Sequence, residues 1–207
     1  MAKTNKNASK INRKTKKVET PITIGNYQKL AMRTCLPACK CWAYAFPQFL
    51  SELSEFFAKH WGLYAKTIRG DLNKTEDDHE LYLQRVKEIR KEVGDIAWSL
   101  ALFCELTNTK FHKCLKKAKD KGATKHPFGD EFDFSVSEFM YINKCTYSKE
   151  WVLEEEWQIP ILERAFMYFL EICKHYQFKV SDVLRDNIRK LASRQKRGVI
   201  MGNGDNR

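Results

Sequence analysis

The sequence predicts an all-α protein of about four to six helices, and three observations point that way. Apolar residues recur at three- and four-residue spacing in several separate stretches. Runs that alternate apolar and polar residues, the mark of a half-buried strand, are sparse. Helix punctuation falls at the margins of the periodic stretches: Pro37 after the first, Ser181 before the last and Gly198 after it.

The chain begins with a tail rather than a helix. Residues 1–17 hold seven lysines and arginines and no acidic residue, so +7 of the net charge of +11 belongs to them and +4 to everything after. Asn, Thr and Lys dominate this segment, which has too little apolar surface to fold by itself. Residues 1–20 are therefore expected to be a disordered basic tail, and 21–207 a single domain. A basic tail can also bind DNA or RNA through non-specific electrostatics, so a non-enzymatic nucleic-acid-binding protein is the competing functional class.

Tyr27-Gln28-Lys29-Leu30-Ala31-Met32-Arg33-Thr34 has helical periodicity and ends near Pro37. A second helix is expected from about Pro47 to Trp61. Its broad apolar side is Phe49, Leu50, Leu53, Phe56, Phe57 and His60, and Gln48, Glu52, Glu55 and Lys59 fall on another side. Residues 66–78, rich in Asp, Asn and Gly, read as a polar loop. The third helix is expected from about His79 through Phe103, and its second half, from Ile96 to Cys104, has no wide polar face. A helix apolar all round is a buried one.

From 106 to 160 the aromatics Phe132, Phe134, Phe139, Tyr141, Tyr147, Trp151 and Trp157 show no clear period. Lys113–Lys125 is a basic helical candidate, His126–Asp130 a turn, and Glu154–Glu156 an acidic helix surface before Pro160. A helix is then expected over about Ile161–Tyr176. Ser181 is the expected N-cap of the last helix, with Asp182 in its first turn and Gly198 near its end.

Composition limits the function classes. No apolar stretch reaches the ~20 residues a bilayer span needs, and no signal-peptide core follows the basic tail; no membrane association and a cytoplasmic location are expected. The seven cysteines, Cys35, Cys39, Cys41, Cys104, Cys114, Cys145 and Cys173, lack paired spacing and read as free thiols. A zinc-stabilised scaffold on Cys35, Cys39 and Cys41, completed by His60 or His112, is the alternative.

The chemistry-bearing feature is a pair of acidic pairs, Glu52-x-x-Glu55 and Glu92-x-x-Asp95. Residues three apart share a helix side, so two such helices face to face would gather four carboxylates. Those charges need a cation among them, and a hard divalent ion such as Mg²⁺ suits carboxylate oxygens. Glu92 and Asp95 lead into the buried stretch, where an ionised carboxylate costs several kcal/mol unless it is paired or binds metal. Lys87, Arg90 and Lys91 are the candidate salt-bridge partners for the opposite reading. On the last helix Asn187, Lys190 and Arg194 share one side, and Lys196, Arg197 and a glycine-containing end, Gly202-Asn203-Gly204-Asp205-Asn206-Arg207, follow. Forked arginine and compact lysine donors suit a polyphosphate.

The ExxE…ExxD pattern, the run Glu92-Val93-Gly94-Asp95-Ile96-Ala97-Trp98-Ser99-Leu100-Ala101-Leu102 and the segment Asp186-Asn187-Ile188-Arg189-Lys190-Leu191 resemble the MazG-like all-α nucleoside triphosphate pyrophosphohydrolases. The ending Arg197–Arg207 is similar to the termini of phage-encoded members, which implies a host cytoplasm. The resemblance covers about 22–104 and 161–207 and leaves 105–160 as an insertion before the last helices. It implies that Glu52, Glu55, Glu92 and Asp95 hold Mg²⁺, with Mn²⁺ a substitute, and act in catalysis. It implies substrate contacts from Lys59, Trp98, Asn187, Lys190, Arg194, Arg197 and Arg207. A homodimer or homotetramer is implied as well. Ser99 departs from the aromatic residue many members carry there, which shifts nucleoside stacking to Trp61, Trp98 or an aromatic of the insertion.

Overall fold

A computed structural model of the protein describes residues 21–69, 75–122 and 155–198. Among them are six α-helices, two short 3-10 turns and no strand: α1 (Tyr27–Ala31), α2 (Trp42–Ile68), α3 (Glu76–Leu106), α4 (Phe111–Lys121), α5 (Glu155–His175) and α6 (Val180–Arg197). The all-α expectation holds. Among the described residues no helix is long and apolar enough to cross a membrane.

Helix α3 is the hub, packing against α1, α2, α4, α5 and α6. Its N-terminus is closed by a capping box, in which Thr75 accepts from the Asp78 amide and Asp78 accepts from the Thr75 amide. Glu76, Asp77 and Asp78 in the first turn also suit the positive end of the helix dipole. From Ile96 to Cys104 every residue but the half-buried Trp98 is buried, as the uniformly apolar second half predicts. Helix α2 runs antiparallel to α3: Phe49 meets Phe103, while Lys59 meets Glu92. Phe49, Phe56 and Phe103 are fully buried, each contributing about 1.5–3 kcal/mol of transfer free energy.

Several boundaries differ from those the sequence suggests. Helix α2 starts at Trp42, and Pro47 lies inside it rather than at its start. The lost N–H of an interior proline costs about 3 kcal/mol, offset here by burial of Ala45, Phe46 and Phe49 along the same helix. The polar loop expected over 66–78 is shorter, because α2 continues to Ile68 and α3 begins at Glu76. Pro160 is likewise inside α5, which begins at Glu155.

Ser181 is not the N-cap of α6. Lys179 holds that position in extended geometry (φ −72°, ψ 121°), and its carbonyl accepts from the Asp182 and Val183 amides. The turn therefore closes before Ser181, while Asp182 keeps its first-turn place. Gly198 ends α6 at φ 71°, the left-handed conformation that glycine adopts without strain.

The described start of the 105–160 segment is part of the core. The Phe111 ring lies 4.9 Å from the rings of both Tyr27 and Phe166, and Leu115 and Ala118 are buried beside it. Helix α4 ends at Lys121, short of the Lys125 expected, and Gly122 turns the chain at φ 81°. The His126–Asp130 turn, the aromatics from Phe132 to Trp151, the tail 1–20 and the glycine-containing end lie outside the described residues.

Candidate functional site

The two acidic pairs meet across the α2–α3 interface. One oxygen from each of Glu52, Glu55 and Glu92 lies within 4.8 Å of the others, and among the described residues no second His, Cys, Asp or Glu trio is this close. Glu52 and Glu92 are buried, Glu55 is exposed, and Asp95 is partly buried. Asp95 stands just outside the trio, yet of the three neighbouring carboxylates it acts most strongly on Glu52.

Each half of the cluster has different partners. In the α3 half, Lys59 donates to Glu92 from α2, and Lys190 donates to Asp95 Oδ2 at 2.5 Å from α6. Asn187 Nδ2 donates to the other Asp95 oxygen at 3.1 Å. Arg90, a candidate surface partner for this pair, instead meets Asp186 at 2.5 Å and lies 5.8 Å over the Phe178 ring.

In the α2 half, Glu52 accepts from the neutral Gln48 amide, and neither Glu52 nor Glu55 is paired with a cation among the described residues. Burial pushes the Glu52 carboxyl up to about 8, and the charges of Asp95, Glu55 and Glu92 push the same way, against the Gln48 donation.

Behind Asp95 a buried relay sets its direction. The Tyr27 hydroxyl, fully enclosed on α1, donates to Asn187 Oδ1 at 2.9 Å. With its oxygen held there, the Asn187 amide must turn its NH₂ toward Asp95. Burial, reinforced by the nearby Asp95 charge, holds the Tyr27 hydroxyl well above its ordinary pKa and so keeps it a donor. Gly94 makes room for this arrangement. A Cβ on Gly94 would stand 3.1 Å from Asn187 Cβ and 3.3 Å from its Nδ2, tighter than most such contacts, so α6 would have to give by a few tenths of an ångström.

The remaining substrate-contact candidates are distributed around this centre. Arg194 is one turn beyond Lys190 on the same side of α6 and is buried at 7% exposure, whereas Arg197 is exposed in the last turn. The Trp98 indole N–H is directed to the Ala31 carbonyl (3.3 Å) and Thr34 Oγ1 (3.2 Å), which ties α3 to the start of the domain. Ser99 is completely buried, and Trp61, at 51% exposure, packs edge-on against His60 and Tyr64. Arg207 lies outside the described residues.

The sequence reading missed Tyr27 and Gly94 as site residues. A glycine in mid-helix costs about 1 kcal/mol relative to alanine, so its place beside an acidic pair was the available signal. Tyr27 carried no comparable mark.

Cys35, Cys39 and Cys41 are free thiols of decreasing burial, and among the described residues no cysteine or histidine joins a ligand-spaced trio. His60 is instead held by the Tyr176 hydroxyl at 2.6 Å, and His112 is exposed. The zinc scaffold therefore has no assembled ligand set in the described residues. No protein-family model, curated protein or solved structure matches this chain.

Proposed function

We propose that this protein is a Mg²⁺-dependent pyrophosphohydrolase of the MazG-like kind, converting an NTP or dNTP to the monophosphate and pyrophosphate, with Mn²⁺ able to replace Mg²⁺. One observation supports this reading above the rest: among the described residues Lys59 pairs with Glu92 and Lys190 with Asp95, while the neighbouring Glu52 and Glu55 carboxyls have no cationic partner. A hard divalent cation suits the donor set, since the trio of Glu52, Glu55 and Glu92 offers three carboxylate oxygens.

Glu52, Glu55 and Glu92, with Asp95 alongside, would hold the ion. When bound, Mg²⁺ supplies neutralisation of charge on the phosphate oxygens and on the leaving pyrophosphate. Whichever of Glu52 and Glu55 is less committed to the ion takes the proton of the attacking water. Lys59 and Lys190 flank the carboxylates from two different helices, so a polyphosphate entering between them meets an ammonium on each side. Arg194 and Arg197 extend that basic wall along α6. Homodimer or homotetramer assembly belongs to the same reading.

The test is a Mg²⁺-supplemented screen of all canonical NTPs and dNTPs with separate detection of pyrophosphate and orthophosphate. Pyrophosphate release from at least one nucleotide is expected, and release of orthophosphate alone would redirect the assignment to a phosphatase. Removal of residues 1–17 should barely change turnover. Salt-sensitive nucleic-acid binding that disappears with those residues, in a protein inert toward every nucleotide, would favour the nucleic-acid-binding class instead.

A further inference from the structure

Helix α2 has a side that neither the core nor the acidic centre uses. Its four charged residues, Glu52, Glu55, Lys59 and Lys66, are spaced i, i+3, i+7 and i+14, so all of them fall along the edge beside the acidic centre. Phe49, Leu53, Phe56, His60 and Leu63 form the buried side, and among the described residues α3 is the only helix that packs extensively on α2. On the remaining side Leu50, Ser54, Phe57, Trp61 and Tyr64 follow one another at alternating four- and three-residue steps, the spacing of a helix–helix seam. Leu50 and Phe57 are half-buried, Ser54 is exposed, and Trp61 and Tyr64 are 51% and 50% exposed.

Small residues run beside that seam. Ser51, Ala58 and Ala65 recur every seven residues, and all three are exposed. A row of large side chains next to a row of small ones is the relief by which two helices interlock, the ridge of one in the groove of the other. This side of α2 carries no lysine, arginine, aspartate or glutamate, although 30% of the chain is charged. The exposed side of α4, by contrast, holds Lys113, Lys116, Lys117 and Asp120, as a solvated helix side does.

Neutrality and size together select the occupant. Two copies of a chain with a net charge of +11 repel each other, and the open side of α2 is a surface they can bring together without opposing like charges. At about 200 Å² for an entire aromatic side chain, Trp61 and Tyr64 alone leave roughly 200 Å² accessible. With the rest of the stripe, along a helix about 40 Å long, the surface comes near the ~800 Å² per partner that a standard interface buries. We propose that the open side of α2 is the two-fold interface of a homodimer. The Leu50–Tyr64 seam of each copy packs on the same seam of the other, and the large row of one enters the small row of its partner. Trp61 and Tyr64 lose their solvent exposure there, while Glu52, Glu55 and Lys59 stay on the edge outside the contact.

The experiment is sedimentation of the reduced full-length protein over a range of concentrations, without nucleotide or Mg²⁺. Such a dimer needs neither, so failure of this interface and failure of the hydrolase reading are told apart. The wild type should sediment at twice the chain mass. Ala58→Lys puts an ammonium into the small row at an exposed position, and Trp61→Glu puts a carboxylate into the seam. Each should raise the dissociation constant about 100-fold or more, while circular dichroism remains that of the parent. Lys116→Glu, on the exposed side of α4, should leave the dimer intact. A wild type that is monomeric at every concentration would overturn the proposal, and its flotation with phosphatidylcholine vesicles would assign the surface to lipid instead. A dimer whose dissociation constant is unchanged in Ala58→Lys and Trp61→Glu would overturn it as well, by placing the contact elsewhere.

Discussion

Glu92-x-x-Asp95 and Glu52-x-x-Glu55 share a spacing and a neighbourhood but not an electrostatic situation. On α3 both carboxylates have an ammonium partner, Lys59 for Glu92 and Lys190 for Asp95, and Asp95 is further aimed by Asn187. On α2 the strongest donor is a neutral amide, Gln48, and the Glu52 carboxyl rises to about 8. The chain has neutralised one half of its acidic cluster and left the other half strained. That difference turns a group of carboxylates, which by itself is common, into a candidate cation site with a defined open side.

The sharpest way to break the comparison is to remove a carboxylate from the paired half. Glu92→Gln or Asp95→Asn should lower pyrophosphate release by about 100-fold or more for every nucleotide, while circular dichroism remains that of the parent. Full activity in either variant would mean that the α3 half is a structural salt-bridge pair.

Next in size is Gly94→Ala. The added methyl meets Asn187 Cβ at 3.1 Å and pushes α6, with Lys190, away from Asp95. Overpacking costs about 1–3 kcal/mol, partly cancelled by the ~1 kcal/mol gain in helix propensity. The melting temperature should therefore fall by no more than several degrees, while Mg²⁺ affinity falls about tenfold or more. Unchanged affinity by titration calorimetry would show that the α3–α6 approach does not shape the site.

Tyr27→Phe keeps the ring and removes only the donor that orients Asn187. A loss of about 1–2 kcal/mol in stability is expected from the orphaned amide oxygen. Turnover should fall by about tenfold through the misdirected Asp95. Stability loss without any kinetic change would reduce Tyr27 to a packing residue.

The smallest effect is graded with pH and belongs to the strained half. With its pKa raised from 4.5 to about 8, Glu52 binds a proton in the native state across a range where the unfolded chain does not. Metal-free stability should therefore fall as pH rises through that window. Mg²⁺ must displace the same proton, so its apparent affinity should climb about tenfold per pH unit below about 8. Glu52→Gln should flatten both trends, and an affinity independent of pH between 6 and 7.5 in the parent would remove Glu52 from the ligand set.

Much of this molecule could be read before any coordinates. The second half of α3 is apolar on all sides and is buried on all sides. The Gly198 stop and the placement of Asn187 and Lys190 on one side of α6 were visible in the same way, because helical periodicity and capping act within a few residues. Pro47 and Pro160 looked like boundaries, and Ser181 looked like a cap, because local preference was all that could be weighed. Burial of the flanking residues and the reach of the Lys179 carbonyl outweighed those preferences.

The sequence by itself determined the helices, the basic character of the tail and the two acidic pairs, since each follows from residue type and spacing along a few turns. Only the tertiary structure decided which carboxylates acquired a lysine. It also brought Tyr27 to Asn187 across the chain. Partners such as Tyr27 and Asn187 are far apart in sequence, and their energies depend on distance and burial, quantities that exist only once the helices have packed.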